Sequence, residues 1–489
     1  MSSPTPCTAR LQYHQELTVK IDTLTNLGIG IARLKLSDYK DVVTTPPLAK
    51  TNNKPEISDS DNSDNEDDAL WVIMVPNVIP GEEAKVRIFR NHKQYSEADL
   101  IEIVQASPDR VQPQCPLAGD CGGCQYQHMP IGLQREWKLK HVEECFRQHK
   151  IDLTATPTTL DVQPTMGTEH VYHYRSKITP HYQAPGGSSG RKARKKRKQA
   201  QQQQSALGHE SNPEEPMPSV EAIGFQRSSV RSIIDVPHCP IATKSINEEY
   251  QKARGKLLQE PYHQELGATL LFRQANMDNQ TVVTNHNEYM TTHVNGLAFT
   301  YLAGNFFQNN LYILPKMVDT VMDKAARPAA TQGEEEELRM THFVDCYCGS
   351  GLFCLSAAKH FDTCVGIEIN AKAIAEAQAN AQANELSHKC TFEASRAEAI
   401  FNNEQVQTFP RDTTVVMLDP PRKGCDEQFL KQLELFRPQR IVYLSCNPAT
   451  QARDVKEMLS WGYTITFVQP FDLFPQTRHI ESLAVLERM

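Results

Sequence analysis

Residues 341–370, THFVDCYCGSGLFCLSAAKHFDTCVGIEIN, decide the fold. A short apolar run, His342–Cys346, meets Gly349-Ser-Gly351, and a second apolar run ends on Glu368. Glycines at a strand-to-helix turn let a ligand come close to the backbone. A carboxylate about twenty residues further on is placed to accept both hydroxyls of a ribose. No G-x-x-x-x-G-K-S/T phosphate cradle occurs in the chain. A nucleoside cofactor such as S-adenosylmethionine therefore fits better than a nucleoside triphosphate.

Outward from this stretch the pattern keeps alternating. Strands are expected at 342–346, 363–369, 389–392, 414–418, 441–445, 463–468 and 482–486, with helical stretches such as 371–385 and 426–436 between most of them. That is a doubly wound α/β sheet. The connection before the last strand has no helical pattern, which predicts an antiparallel hairpin at that edge. The fourth strand ends in VVMLDPPRKG, where Asp-Pro-Pro makes a rigid turn that fixes the Asp419 carboxylate. The fifth, RIVYLSCNPAT (440–450), delivers Cys446 to the rim of the sheet, where ligands bind. Two readings of that thiol stand side by side: packing, the usual fate of a free cysteine, and chemistry.

The 489 residues exceed one ordinary core, so two to four domains are expected. With 39% hydrophobic and 22% charged residues, the composition is that of a globular protein. No apolar run approaches the ~18–20 residues that span a bilayer, and no membrane partner is expected. The first residues lack the apolar core of a secretory signal and are short of arginine for a transit peptide. A cytoplasmic or nuclear place follows, with a mitochondrial one left open. Thirteen cysteines without secretory context point to metal or catalysis rather than a disulfide framework. The net charge of −8 is blocky: 58–68 holds six acids, 334–337 holds four, and RKARKKRK (191–198) packs seven bases into eight residues. Local patches therefore matter more than the net value.

Towards the N-terminus, 16–35 alternates as a strand broken by Gly28 and Gly30, and 69–89 and 99–105 continue the pattern. Short strands with turn residues between them predict a small OB-type β-barrel over 15–110, after a disordered tail at 1–14. The acidic insertion 44–68 is expected to be disordered, either a solvated loop or a phosphorylated one. In QCPLAGDCGGCQYQHM (114–129), Cys115, Cys121 and Cys124 fit C-x5-C-x2-C, and Cys239 in PHCPIA is the best fourth thiolate. Four such ligands suit an iron–sulfur cluster or zinc. Residues 131–149 read as an amphipathic helix burying Leu133, Trp137, Val142 and Phe146. HVYHYRSKITP (170–180) reads as a strand whose aromatics, Arg175 and Lys177 suit either RNA stacking or an ordinary half-buried strand. The low-complexity stretch 184–218 is expected to be a disordered insertion whose basic run is a nuclear address, an RNA-binding arm or a solubilising loop.

FFQNN, DCYCGSG, GIEIN, LDPPRKG, LSCNPAT and HIES follow one another in this chain. In that order they resemble the RNA uridine-5-methyltransferases. V-x-I-x-x-L-x-x-x-G-x-G near the N-terminus resembles a TRAM domain, and the C-x5-C-x2-C motif resembles the cluster-containing branch of that family. The resemblance implies a class I methyltransferase domain over 301–489 and a β-rich central domain over 111–300. It further implies that Gln308, Tyr347, Glu368 and Asp419 contact S-adenosylmethionine, that Cys446 is the nucleophile and Glu481 the base. Cys115, Cys121, Cys124 and Cys239 would hold a [4Fe–4S] cluster, with zinc as the alternative. Leu352 departs from the polar residue some relatives carry after the glycine motif. The implied partner is RNA, tRNA first and ribosomal RNA as the alternative, acted on by a monomer. An RNA chaperone with secondary methyl transfer is the rival of a different class.

Overall fold

The computed structural model describes residues 8–35, 43–45, 70–153, 160–182, 222–228, 230, 232–259, 268–329, 338–396, 401 and 403–488. Apart from Thr44 and Thr45, the acidic insertion lies outside these residues, as does the basic insertion. The chain divides into two compact units, Met1–Gln114 with Cys124–Trp137, and Cys115–Gly123 with Lys138–Met489.

In the first unit six strands form one sheet in the order Glu16–Lys20, Glu83–Asn91, Tyr95–Gln105, Leu70–Pro76, Ile29–Lys35, Thr23–Leu24. Neighbours are antiparallel except Leu70–Pro76 and Tyr95–Gln105, which run parallel. Period-two alternation sends Leu17, Val19, Ala32, Leu34, Ile73, Val75, Val86 and Ile88 into one core. Gly30 is required by close approach: a Cβ there would meet Val78 Cγ2 at 2.2 Å. Gly28 has φ +71°, a conformation other residues rarely adopt, and lies against the Tyr126 ring. The expected tail contains a described strand, Thr8–Arg10, antiparallel to Val43–Thr45, and Leu11 is buried.

The second unit holds the large sheet. Its strands are β1 (His342–Cys346), β2 (Thr363–Glu368), β3 (Cys390–Ala394), β4 (Thr414–Leu418), β5 (Arg440–Ser445), β6 (Tyr463–Phe471) and β7 (Glu481–Arg488). Their order is β3-β2-β1-β4-β5-β7-β6. The first five are parallel, and β7 is antiparallel to both neighbours. The expected hairpin is therefore present, but β6 is not the rim. Asp161–Val162, far upstream in the chain, adds a further parallel strand beside it. Every residue of β4 and β5 is buried, as strands covered on both faces must be. One apolar cluster, with Phe343, Val415 and Val442, fills one face; another, with Val344, Val416 and Ile441, fills the other. Strand order reverses between β1 and β4, so a crevice opens beyond their carboxyl ends.

The buried cations Lys138, Arg273 and Arg440 of this unit all find acceptors. Arg440 starts β5 at 0% exposure. It donates to the carbonyls of Ala325 (2.8 Å) and Arg327, which close the helix Leu314–Ala326, and to Glu487 Oε1 (2.8 Å). Orphan carbonyls at a helix end are natural acceptors for a cation.

The helix Ile131–Gln148 differs from its expected face. Val142 and Phe146 are buried, but Leu133 and Trp137 are only partly so. Gln134, Lys138 and His141 are buried instead. Lys138 Nζ donates to Asp472 Oδ1 (2.6 Å) and to the Phe474 carbonyl (3.1 Å), and both side chains are fully buried. Removing either partner alone would strand a charge, at a cost of about 3–5 kcal/mol. Residues 170–180 also correct the expected strand: only Lys177–Ile178 pairs as one. The preceding amides are taken by carbonyls elsewhere, His173 N by Pro240, Arg175 N by Ile241 and Ser176 N by Asn309. Scattered partners leave no ladder to extend.

Candidate active site

The crevice beyond β1, β2, β4 and β5 is a cavity of about 850 Å³. Gln308, Tyr347, Glu368, Asp419, Cys446 and Glu481 all line it. The six residues come from six separate stretches of chain.

One part suits a nucleoside. At the end of β1 the backbone turns through Tyr347 (φ 139°), Gly349 (φ 54°) and Gly351 (φ 94°). A side chain such as that of Tyr347 rarely adopts its φ, and residues held this way concentrate at functional sites. Both Tyr347 N and Cys348 N donate to the Ile367 carbonyl, which stitches this turn to β2. Glu368 closes β2 and accepts from Asn370 N (2.9 Å), while Ile369 stays 69% exposed beside it. A carboxylate next to an exposed apolar side chain matches the ribose and base of a nucleoside. Leu352 lines the same wall. Asp345, fully buried behind the turn, accepts from Cys354 N (3.0 Å), and its Oδ1 has no partner among the described residues.

The same cavity also holds the reactive group of residues. Cys446 follows β5 and is half-buried. The Asn447 side chain caps the next helix, Pro448–Ser460, and fixes the turn that presents the thiol. Burial pushes the thiol up to about 11; Glu481 and Asp419 add to the rise, and Arg422 opposes it. Glu481, the first residue of β7, is 7% exposed. Burial, then Asp419, holds its carboxyl well above the ordinary carboxylate range, again against Arg422. Asp419 is raised by burial to about 7. Two carboxyls and a thiol share one low-dielectric wall, with Arg422 as the cation acting on both Cys446 and Glu481.

The sequence offers Arg422 and Lys423 as candidates for activating the thiol, but the contacts of several groups here carry no signal in it. Arg422 donates to His479 Nδ1 (3.3 Å), and burial, followed by nearby cations, lowers His479 to about 4, so its ring is neutral. The loop 303–308, which carries Phe306 (77% exposed) and Gln308 into the cavity, is held by cations from elsewhere. Arg273 donates to the carbonyls of Ala303, Asn305 and Phe307, and its guanidinium lies over the Tyr301 ring at 4.6 Å. Lys177 donates to Gly304 and Asn305. Glu376 accepts from Leu302 N and Asn305 Nδ2. A lone arginine in a short strand offers no pattern by which to find it.

The four cysteines of the expected metal site are placed as follows. Cys115 and Cys121 flank a turn in which Ala118 N donates to the Cys115 carbonyl and Cys121 N to that of Leu117. Asn247 brackets Cys239 by accepting from its amide (2.9 Å) and donating to its carbonyl (3.0 Å). Burial raises the thiols of Cys121 and Cys239; Cys115 raises Cys121 further, and Cys121 raises Cys239. Cys121 thus lies near both Cys115 and Cys239, while Cys124 belongs to the other unit. Among the described residues, no three His, Cys, Asp or Glu side chains are gathered as a group that could hold a metal ion. Nor is any described helix long and apolar enough to cross a membrane.

A family model described as tRNA (Uracil-5-)-methyltransferase matches residues 239–489. The tRNA (uracil(54)-C(5))-methyltransferase of Schizosaccharomyces pombe is 37% identical over 429 residues, which are 86% of this chain and 74% of that one. Its namesake from Saccharomyces cerevisiae is 30% identical over 524 residues, 98% of this chain and 75% of that one. Among solved structures, the Pyrococcus abyssi tRNA (uracil-54, C5)-methyltransferase in complex with S-adenosyl-L-homocysteine matches with a TM-score of 0.59 at 19% identity. That match covers 96% of this chain and 100% of the other, and establishes the class I methyltransferase fold.

Proposed function

The chain belongs to the tRNA (uracil-5-)-methyltransferase family, and from that membership we propose that it transfers a methyl group from S-adenosylmethionine to carbon 5 of uridine 54 in the T-loop of tRNA. The observation that carries this reading is the convergence of Cys446, Glu481 and Asp419 with Tyr347, Glu368 and Gln308 on one cavity. Residues suited to a nucleoside thus line the same cavity as a thiol and a base.

Carbon 5 of uracil is a poor nucleophile. Addition of the Cys446 thiolate to carbon 6 forms an S–C6 bond and turns the ring into an enolate with a nucleophilic carbon 5. S-adenosylmethionine supplies the electrophilic methyl group when bound. Glu481 then takes the carbon 5 proton, and the S–C6 bond breaks as the double bond re-forms. With a pKa of about 11, only about one thiol in 10⁴ is ionised at pH 7. Arg422 is the group that favours the anion, and its removal moves the ionisation further alkaline. A carboxyl raised by burial is a strong base once ionised, which suits removal of a carbon-bound proton. Gln308, Tyr347, Glu368 and Asp419 hold the methyl donor. The uridine must leave its stack to reach both groups, so the enzyme acts on a flipped base or an open loop.

The first unit reads as a TRAM-type OB module that holds RNA, supported by its short alternating strands and the glycines at 28 and 30. The C-x5-C-x2-C spacing, with Cys121 near Cys115 and near Cys239, supports a [4Fe–4S] cluster, with Cys124 as the remaining member by its spacing. An all-thiolate donor set fits the cluster and equally fits zinc, and no step of the reaction passes through it. Anaerobically purified protein is expected to be coloured and to contain iron; a colourless protein containing zinc would refute the cluster. The reading places a single chain on RNA in the cytoplasm or nucleus.

Labelled S-adenosylmethionine and unmodified tRNA transcripts test the function. Label is expected at uridine 54 and absent when that position is cytidine. Label in ribosomal RNA instead would overturn the substrate, and binding of tRNA without any transfer would leave the chaperone reading.

A further inference from the structure

The loop 419–425, DPPRKGC, has two prolines, a glycine at φ +76°, and one internal backbone hydrogen bond, Gly424 N to the Pro421 carbonyl. It carries Asp419 and Arg422 into the active site, and beyond the rigid Asp-Pro-Pro turn little within 422–425 fixes its shape. The helix Pro448–Ser460, which begins two residues after Cys446, supplies what is missing. Asn447 Nδ2 (2.9 Å) and Thr450 Oγ1 (3.3 Å) both donate to the Arg422 carbonyl. Arg453 Nη2 donates to the carbonyls of Lys423 and Cys425, each at 3.1 Å. Asp454 Oδ2 accepts from Cys425 N (2.9 Å) and from the Tyr443 hydroxyl (2.7 Å).

Residues 447, 450, 453 and 454 lie on one helical face. The backbone of 422–425 is thereby tied to the element that presents the nucleophile. Asp454 is fully buried, and Arg453 binds its other oxygen through Nε (2.8 Å) and Nη2 (2.6 Å). The fit is close: a Cβ on Gly424 would meet Arg453 Nη2 at 2.6 Å and Asp454 Oδ2 at 2.7 Å.

We propose that Arg453 and Asp454 are positioning residues that hold the 422–425 backbone so that the Arg422 guanidinium stays beside Cys446. The proposal rests on the catalytic reading of Cys446, but its test does not need methyl transfer. The charged groups facing Cys446 are Arg422 and Asp419 from the loop and Glu481 from β7. If the loop drifts, Arg422 loses its hold on the thiol while Glu481 keeps raising it. The ionisation of Cys446 then moves alkaline, a change that simple loss of stability does not produce.

The experiment is alkylation of Cys446 by iodoacetamide in the full-length protein, read by peptide mass mapping from about pH 8 to about pH 12. Arg453→Met is expected to move the alkylation midpoint alkaline by about half a unit or more, in the same direction as Arg422→Ala and no further. The double variant should shift no more than Arg422→Ala alone, because both changes remove one interaction. Arg453→Lys, which keeps the charge but cannot fork across two carbonyls, should fall between. Should Arg453→Met fail to fold, Asp454→Asn carries the same expectation. An unmoved midpoint in a folded variant, or a shift that adds in full to that of Arg422→Ala, would overturn the proposal. Absence of methyl transfer by the unaltered protein would instead overturn the function, and the alkylation profile would still decide the role of Arg453.

Discussion

Cys446→Ala is expected to abolish methyl transfer, with kcat falling by about 10⁴-fold or more, the scale on which loss of a covalent nucleophile acts. Binding of S-adenosylmethionine and tRNA should change by less than about threefold, since a half-buried thiol at a loop start contributes little to either. The fold should also persist. The cap of the following helix comes from Asn447, and the β5 residues before the thiol are buried independently of it. A second readout isolates the chemistry. With 5-fluorouridine at position 54 there is no carbon 5 proton to remove, so the unaltered protein should stall as a covalent complex that survives denaturation. Cys446→Ala should form none. A covalent complex in that variant would take the nucleophile's role away from Cys446. Cys446→Ser is a sterner check: a hydroxyl is harder to ionise than a thiol already raised to about 11, so serine should rescue nothing.

The catalytic sheet was legible because its physics is local. Strands buried on both faces read as unbroken apolar runs, as in TVVML and RIVYLS, and their ends are marked by glycine or proline. Glu368, Asp419 and Cys446 each sit at such an end, so strand boundaries located them without any contact being known. The illegible part is where a polar residue is buried by a partner remote in the chain. Lys138 looked like the exposed face of an amphipathic helix, but its carboxylate comes from Asp472 and a carbonyl from Phe474. Arg440, at the head of a strand, is covered by helix carbonyls and Glu487. Arg273 and Lys177 clamp the loop of Gln308 through carbonyls alone, which leave no mark in side-chain identity. Asp161–Val162 joins the sheet as a two-residue strand, too short for alternation to show. The thiol itself was only half legible. Its position at the rim followed from the strand, whereas its activation depends on Arg422, Asp419 and Glu481 meeting in three dimensions.

Glu481→Gln separates the two halves of the reaction and should show the second large effect. An amide cannot accept the carbon 5 proton, so turnover is expected to fall by about 10²–10⁴-fold, the range for loss of a general base. Addition of the thiol should not suffer equally. Glu481 is among the groups that raise Cys446, and a neutral amide in its place lowers the thiol's pKa and eases ionisation. Adduct formation should therefore persist while release fails, and ordinary uridine 54 tRNA should accumulate as a methylated covalent complex. That result distinguishes a base from a binding residue, whose loss would reduce adduct and turnover together. Stability supplies a check on the same carboxyl. Burial and Asp419 raise its folded pKa above its unfolded value. Its contribution is therefore full below the unfolded pKa and is lost as pH rises towards the folded one. Gln does not titrate, so the variant's melting temperature should gain on the unaltered protein as pH rises from about 5 to about 8. A difference independent of pH would mean that Glu481 ionises as an ordinary carboxylate. Accumulation of no adduct at all would remove it from the elimination step.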